Sequence, residues 1–277
     1  VHMFIGAHVS TSGGIVNAPL NAAKLGCEVF QCFSRSPQGG PAPVWTEEML
    51  ETFFANCEAG GIKEWVIHAP YYINFASEEA RTRGNSIRII REELERGTRL
   101  RAKYAMFHPG SAKTTGREQG LTHVVEGIKK LLDGYEGSTQ LLIEISAGAG
   151  QVIGDTFEEV AEILERVDCP ELGVCFDTAH AFASGYDLRD ATHVEKAFKQ
   201  FDATIGLKKL KMSHCNDSKV ELGARKDRHE HIGKGFIGQA GFEALLHSPH
   251  LQHLNWYLET EPEAVAEDIA LLKQIRG

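Results

Sequence analysis

The chain has 277 residues and a formal net charge of −9, and it is 42% hydrophobic and 24% charged. This composition is typical of a globular protein with a sizeable core. No apolar run reaches the ~18 residues that a membrane-spanning helix needs, so no membrane partner is expected. The negative charge, taken alone, argues against a nucleic-acid partner.

Residues 3–277 are predicted to form a single domain, and residues 1–2, which precede Met3, are interpreted as left by cloning. The start of the chain has no signal-peptide pattern. The six cysteines include no C-x-x-C pair. Reduced thiols and a cytoplasmic location are therefore expected, with Cys32 and Cys175 packed in strands.

Short apolar runs alternate with stretches of helical period along the chain. The predicted strands are MFIGAHV, EVFQCFS, WVIHA, YAMFHPG, TQLLIEIS, LGVCFDTAH, KKLKMSHCND and WYLET. Helices are predicted at 46–59, 86–101, 117–132, 156–167, 193–201, 242–247 and 263–275. Strands that alternate with helices predict a parallel α/β sheet. Eight such units in about 250 residues favour a single closed (β/α)8 TIM barrel, with an open doubly wound sheet as the alternative.

Histidines and carboxylates stand at or just beyond the ends of most predicted strands. In a TIM barrel these ends meet at the C-terminal face, where barrel active sites are built. A lone histidine there is usually a hydrogen-bonded core residue, and a lone Asp is most often a helix N-cap. The joint pattern instead predicts a metal site, and nitrogen and oxygen donors without thiolates suit Zn²⁺ or Mn²⁺. The nine candidate ligands are His68, His108, Glu144, Asp177, His180, His214, Asp227, His229 and Glu259.

Two further histidines are predicted to support ligands through hydrogen bonds. His8 ends the first predicted strand, and His231 lies two residues beyond His229. Hydrogen bonds of this kind orient ligating side chains in metal sites.

Several motifs resemble those of the endonuclease IV family of apurinic/apyrimidinic (AP) DNA repair nucleases. They are IGAHVSTSGG, YYIN, FHPGS, VCFDTAHAFASGYDLR, SHCNDSK, DRHEHIGKGFIG and the final LET, and they extend over nearly the whole chain. The resemblance implies a TIM barrel that holds three zinc ions per chain, with Mn²⁺ as a substitute. The implied ligand sets are His68, His108 and Glu144 for one ion, Glu144, Asp177, His214 and Glu259 for a second, and His180, Asp227 and His229 for a third.

The activity that the resemblance implies is hydrolysis of the phosphodiester 5′ to an abasic site in duplex DNA. It would leave a 3′-hydroxyl and a 5′-deoxyribose phosphate, and removal of blocked 3′ ends is a further implied activity. A metal-bound hydroxide would be the nucleophile, with Glu144 bridging two ions and Glu259 as the other catalytic carboxylate. Three zinc ions would add +6 to −9 and leave −3. No protein partner is implied, and a monomer is expected.

Contacts to DNA are predicted less completely. Tyr71 matches a family tyrosine that faces DNA. In the 35–43 loop the family usually has an arginine that enters the DNA, whereas this chain has Gln38, with Arg35 nearby as a substitute. Ile145 and Ala149 replace two amides that the family has after the bridging glutamate. Phosphate contacts are expected from Lys219, Arg225, Lys226, Arg228 and Lys234.

Two other functions compete with the nuclease. A xylose-isomerase-like sugar isomerase or epimerase would place one divalent ion on Glu144, Asp177, His214 and Glu259, and it would have no use for the other candidate ligands. A non-catalytic protein that binds DNA lesions would need no complete ligand set. The surplus of ligands favours the nuclease.

Overall fold

Eight parallel strands close into a barrel in this protein, whose computed structural model describes residues 3–277. The interpretation of residues 1–2 as a cloning remnant lies outside the described residues. The strands are β1 (Ile5–His8), β2 (Val29–Phe33), β3 (Glu64–His68), β4 (Tyr104–Phe107), β5 (Gln140–Glu144), β6 (Gly173–Asp177), β7 (Leu210–His214), β8 (Asp217–Ser218), β9 (His229–Glu230) and β10 (Trp256–Leu258). The barrel order is β1-β10-β7-β6-β5-β4-β3-β2, with β8 and β9 as a separate antiparallel pair. The TIM barrel is thus confirmed, and the open sheet is excluded.

Helices surround the barrel and follow its strands. They are α1 (Asn17–Lys24), α2 (Glu47–Ala59), α3 (Ala80–Leu100), α4 (Arg117–Leu132), α5 (Phe157–Val167), α6 (Thr178–Ser184), α7 (Ala191–Thr204), α8 (Gly238–His247) and α9 (Val265–Arg276). Local sequence explains several starts: the Thr46 and Thr156 side chains accept N-cap hydrogen bonds, and acidic residues follow each in the first turn. None of the helices in residues 3–277 is long and apolar enough to cross a membrane.

Several elements differ from the predictions, and helices α1 and α6 and the strand β9 are not among the predicted elements. The sixth strand was expected to continue to His180, but it ends at Asp177, whose carboxylate accepts a hydrogen bond from the His180 N–H at 2.8 Å and caps α6. His180 therefore lies in the first turn of a helix. Helix α3 begins at Ala80, before the expected residue 86.

Alternate residues of each strand face the barrel interior and the helices. In β2, Val29 packs in the interior cluster with residues of other strands, whereas Phe30 and Cys32 pack in the larger core between strands and helices. All six cysteines are free, and Cys32 and Cys175 are buried in β2 and β6, as predicted. The apolar interior leaves the C-terminal ends of the strands for polar groups.

Candidate metal centre

Glu144, the last residue of β5, lies buried at the centre of the candidate site. Its Oε2 is 3.2 Å from His68 Nε2 and 3.3 Å from His108 Nε2. Its Oε1 is 2.8 Å from His214 Nδ1. One carboxylate therefore faces three imidazoles that come from three other strand ends.

The first cluster consists of His68, His108 and Glu144. Among the described residues, Glu144 Oε2 is buried without a hydrogen-bond partner, although two ring nitrogens face it. Ligands ~2.0–2.1 Å from a tetrahedral zinc ion lie roughly 3.3 Å apart, which matches the observed separations. The residues therefore fit a divalent cation.

The second cluster consists of Glu144, Asp177, His214 and Glu259. His214 Nδ1 faces all three carboxylates, at 2.8 Å from Glu144, 3.4 Å from Glu259 and 3.7 Å from Asp177. Buried carboxylates need protons or cations as partners, so this set also fits a divalent ion.

The third cluster lies where α6 meets the β9 loop. His180 Nε2 and His229 Nε2 are 3.3 Å apart, and Asp227 Oδ1 lies 3.1 and 3.3 Å from them. Two ring nitrogens this close need a proton or a cation between them. Asp177 also lies close enough to share an ion with the two histidines. Asp227, which the family resemblance places in this set, lies at its edge with 55% of its side chain exposed.

Opposite charges shift the protonation of these groups. Burial would raise the pKa of Glu144, but His108 and His214 hold it well below its ordinary value. Burial would lower the pKa of both His214 and His180. Cys175 and the Glu144 carboxylate raise the pKa of His214 well above its ordinary value, and Asp177 and Asp227 do the same for His180. Protonated imidazoles thus partner the carboxylates in the metal-free chain, and a bound cation would take the place of those protons.

The side-chain amides of Gln31 and Asn216 are buried and form hydrogen bonds with candidate ligands. The sequence analysis predicted no role for either residue. Asn216 Nδ2 donates to Asp177 Oδ2 at 2.8 Å, and its Oδ1 accepts from the Glu259 N–H at 2.7 Å. Gln31 contacts His214 and Glu259. A polar residue between apolar neighbours in VFQCF was the available signal for Gln31.

The two predicted supporting histidines have different surroundings. His8 Nδ1 lies 3.0 Å from Gln31 Nε2, so His8 reaches the ligands through Gln31. His231 Nδ1 lies 2.7 Å from Asp268 of α9, so this hydrogen bond does not go to a candidate ligand. Asp268 also accepts from Thr260, which follows Glu259. His231 therefore fastens its loop to the last helix.

Arg35 is not free at the rim of the site. Its side chain is 3% exposed and forms ion pairs with Glu92 and Glu93 of α3. Burial of a paired guanidinium prevents it from meeting a phosphate. This corrects the expectation that Arg35 takes the place of the arginine that enters the DNA.

Of the other predicted DNA contacts, Tyr71 and Arg228 line a groove of about 880 Å³. Tyr71 is 70% exposed and packs edge-on against Phe33, with 5.3 Å between ring centroids. Arg225 is bound to Asp155 at 2.8 Å, which limits its reach. The remaining rim residues are exposed; they are Gln38, Lys219, Lys226, Arg228 and Lys234.

Ile145 and Ala149, which stand where the family has amides, leave the three ligand clusters complete. Ile145 is buried, and its main-chain carbonyl lies 3.0 Å from His180 Nδ1. This contact comes from the backbone and does not need the amide side chain. Ala149 lies in the loop between β5 and α5.

Asp217 organises the loop that presents His229. β8 and β9 pair Ser218 with His229. The Asp217 carboxylate is buried and accepts from five main-chain N–H groups, those of Ser218, Gly233, Gly235, Ile237 and Gly238. Gly235 is required for this arrangement, because a Cβ there would lie 2.5 Å from Asp217 Oδ1.

A closed barrel with histidines and carboxylates at the C-terminal ends of its strands defines a class, the TIM-barrel proteins with candidate metal ligands on that face. Residues 19–275 match the family model described as a xylose isomerase-like TIM barrel. Sugar epimerases share this fold: a D-tagatose 3-epimerase-like protein superposes with a TM-score of 0.75 at 20% identity, over 99% of this chain and 97% of the other.

More specific similarity is found to endonucleases. The chain is 38% identical to the probable endonuclease 4 of Carboxydothermus hydrogenoformans, over 99% of this chain and 96% of the relative. It is 40% identical to the probable endonuclease 4 of Campylobacter concisus, over 98% of each. The crystal structure of endonuclease IV from Thermus thermophilus has a TM-score of 0.87 and 33% identity over 98% of each chain. This protein belongs to the endonuclease IV family of nucleases, as its motifs predicted.

Proposed function

We propose that this protein hydrolyses the phosphodiester 5′ to AP sites in duplex DNA, leaving a 3′-hydroxyl and a 5′-deoxyribose phosphate, at a centre of three divalent ions. One observation carries the proposal. Five histidines and four carboxylates converge in three neighbouring clusters, and Glu144 belongs to two of them. A site for a single ion has no use for so many ligands.

Each cluster would hold one ion, zinc or manganese in its place, and His180 and His229 would share the third ion with Asp227 and Asp177. When bound, the ions supply a water activated near neutral pH and neutralise charge on the phosphate and the leaving oxygen. Glu144 and Glu259, which both face His214, would orient the attacking water through their carboxylate oxygens. Asn216 would hold the Asp177 carboxylate in place during the reaction.

The rim of the groove would bind the DNA. Tyr71, which is exposed and supported by Phe33, would face the distorted helix at the lesion, with Gln38 beside it. Lys219, Arg228 and the neighbouring lysines would contact phosphates, and Arg225 would do so with reduced reach. The same centre would remove blocked 3′ ends, because the bond to be cleaved there is also a phosphate ester.

A one-ion sugar isomerase or epimerase is the second candidate. The specific observation in its favour is the cluster of Glu144, Asp177, His214 and Glu259, which would suffice for one ion. The His68–His108 pair and the His180–His229 pair would then have no purpose.

The deciding experiment is cleavage of a duplex that carries a tetrahydrofuran abasic analogue, because this analogue cannot undergo β-elimination. Zinc-loaded protein should nick it, chelation should stop the reaction, and zinc or manganese should restore it. His68→Ala should lose about one ion per chain and lose incision by orders of magnitude, since each ion is worth several kcal/mol in the transition state. His247→Ala, on an exposed histidine at the end of α8, is the matched control.

Two outcomes would reject the nuclease. One is zinc-loaded wild-type protein that leaves the duplex intact and interconverts a ketose with its epimer or aldose. The other is His68→Ala with unchanged nicking and unchanged metal content.

We further propose that residues 3–277 act as one unit, as a monomer, in the cytoplasm. The unpaired cysteines support a reducing compartment. Sedimentation of the zinc-loaded protein with and without duplex DNA would test the monomer.

A further inference from the structure

Gln31 brings an amide into the interior of the barrel. It is the third residue of β2 and is fully buried. Val29, two residues earlier, packs in the interior cluster, so the alternation of the strand turns Gln31 to the same side. An unpaired buried amide is costly, and the partners of Gln31 therefore matter.

Both ends of the amide contact candidate ligands of the second cluster. Gln31 Nε2 donates to Glu259 Oε1 at 2.6 Å and lies 3.0 Å from His8 Nδ1. Gln31 Oε1 lies 2.6 Å from His214 Nε2. An ionised carboxylate only accepts hydrogen bonds, so Glu259 determines which end of the amide carries the nitrogen.

This orientation determines the tautomer of His214. The amide oxygen can only accept, so His214 Nε2 carries the hydrogen. Nδ1 is then the nitrogen whose lone pair can bind a cation, and it is the one that faces Glu144, Glu259 and Asp177. Through its nitrogen, the same amide also restrains the Glu259 carboxylate, which is a second ligand of that cluster.

We propose that Gln31 is a positioning residue for the ion of the second cluster: its single amide aims His214 Nδ1 and Glu259 at one cation. The inference rests on the metal centre of the proposed function and not on its substrate. Partners of this kind typically contribute 10–100-fold in metal affinity.

The test compares Gln31→Met, which keeps the shape and removes the hydrogen bonds to Glu259 and His214, with Gln140→Met as the matched control. Gln140 begins β5 at the opposite end of the barrel and donates to the Glu171 carbonyl. Zinc affinities are measured by competition with a chromophoric chelator. Gln31→Met should weaken one of the three zinc ions by 10–100-fold and leave the other two within about twofold. Gln140→Met should leave all three unchanged.

A spectroscopic readout separates positioning from packing. In nitrogen-15 spectra of zinc-loaded wild-type protein, His214 should show a slowly exchanging Nε2–H, assigned by its loss in His214→Gln. Gln31→Met should lose this protection. A Gln31→Met variant that lowers the thermal midpoint and weakens all three ions equally would show a packing role and overturn the proposal.

Failure of the metal centre itself would look different. If wild-type protein binds no zinc, the proposed function fails together with this inference. If wild-type protein binds three zinc ions and nicks the abasic duplex, while Gln31→Met keeps all affinities and the His214 signal, only the inference about Gln31 fails.

Discussion

Replacing Asp217 by Ala should loosen the loop between β8 and α8 and, with it, the third cluster. The Asp217 carboxylate is the common acceptor for the main chain of Gly233–Gly238. His229 is held in β9 by pairing with Ser218, the neighbour of Asp217. Without the carboxylate, the N–H groups of Gly233, Gly235, Ile237 and Gly238 lose their common acceptor, whereas the Ile232 N–H keeps Asp268.

The expected loss of stability in Asp217→Ala follows from how deeply each of the five hydrogen bonds is buried. Those from Ser218 and Ile237 are buried, and those from the three glycines are only partly buried. The glycine N–H groups regain water when the carboxylate is removed. A buried N–H left unpaired costs about 1–3 kcal/mol and hydrogen bonds to charged groups lie at the upper end, so two of them give about 3–6 kcal/mol.

The assay is hydrogen exchange of the Gly233–Gly238 amides together with denaturant unfolding and metal content. Asp217→Ala should remove protection from these amides, lower the stability by the stated amount and release the third zinc ion first. Asp190→Ala is the matched control, because Asp190 caps the start of α7 at the surface, where an N-cap is worth about 1 kcal/mol. Unchanged protection of the loop amides in Asp217→Ala would refute the reasoning.

Three further predictions concern charge and substrate. In the metal-free protein the pKa values of His180 and His214 are raised well above the ordinary value, so both rings hold a proton to higher pH than a free imidazole does. Zinc must displace these protons, so its affinity should rise as pH rises towards the folded pKa values; a calorimetric binding enthalpy that is independent of the buffer would contradict this. Tyr71→Ala should weaken binding to abasic duplex more than to undamaged duplex, measured by fluorescence anisotropy, and equal losses would reject its role. Arg35→Ala should cost about 3–5 kcal/mol of stability by leaving Glu93 buried without its partner. Lys226→Ala should instead weaken DNA binding at low salt and leave stability within about 0.5 kcal/mol; a stable Arg35→Ala variant with impaired DNA binding would reverse this assignment.

The barrel could be predicted from the sequence because its signals are local and repeated. Apolar runs alternate with helical period, and Thr46 and Thr156 mark helix starts at the expected residues. Because a TIM barrel places the C-terminal ends of all its strands on one face, the sequence also predicts that the candidate ligands lie close together. The structure places them in three clusters.

The parts that could not be predicted depend on pairings between distant segments. Gln31 and Glu259 are 228 residues apart, and nothing near Gln31 indicates that its amide meets a carboxylate. Arg35 is a residue type that often contacts DNA phosphates, but here it forms an ion pair with Glu93 of α3, which lies 58 residues later in the chain. The sequence prediction extends the sixth strand to His180, because Asp177 can be interpreted either as a ligand at a strand end or as the N-cap of a helix. The structure shows that Asp177 caps α6.

The candidate metal centre can be completed only after nearly the whole chain has been synthesised. Its residues come from β2 near the start through Glu259, just after β10, and the barrel closes only when β10 pairs with both β1 and β7. A nascent chain that has not yet emerged past residue 259 cannot assemble the second cluster, since Glu259 is absent from it. Such long-range contacts form late in folding. A zinc ion in the second cluster would therefore be bound tightly only by finished barrels, and it would stabilise them by mass action over any partly folded form.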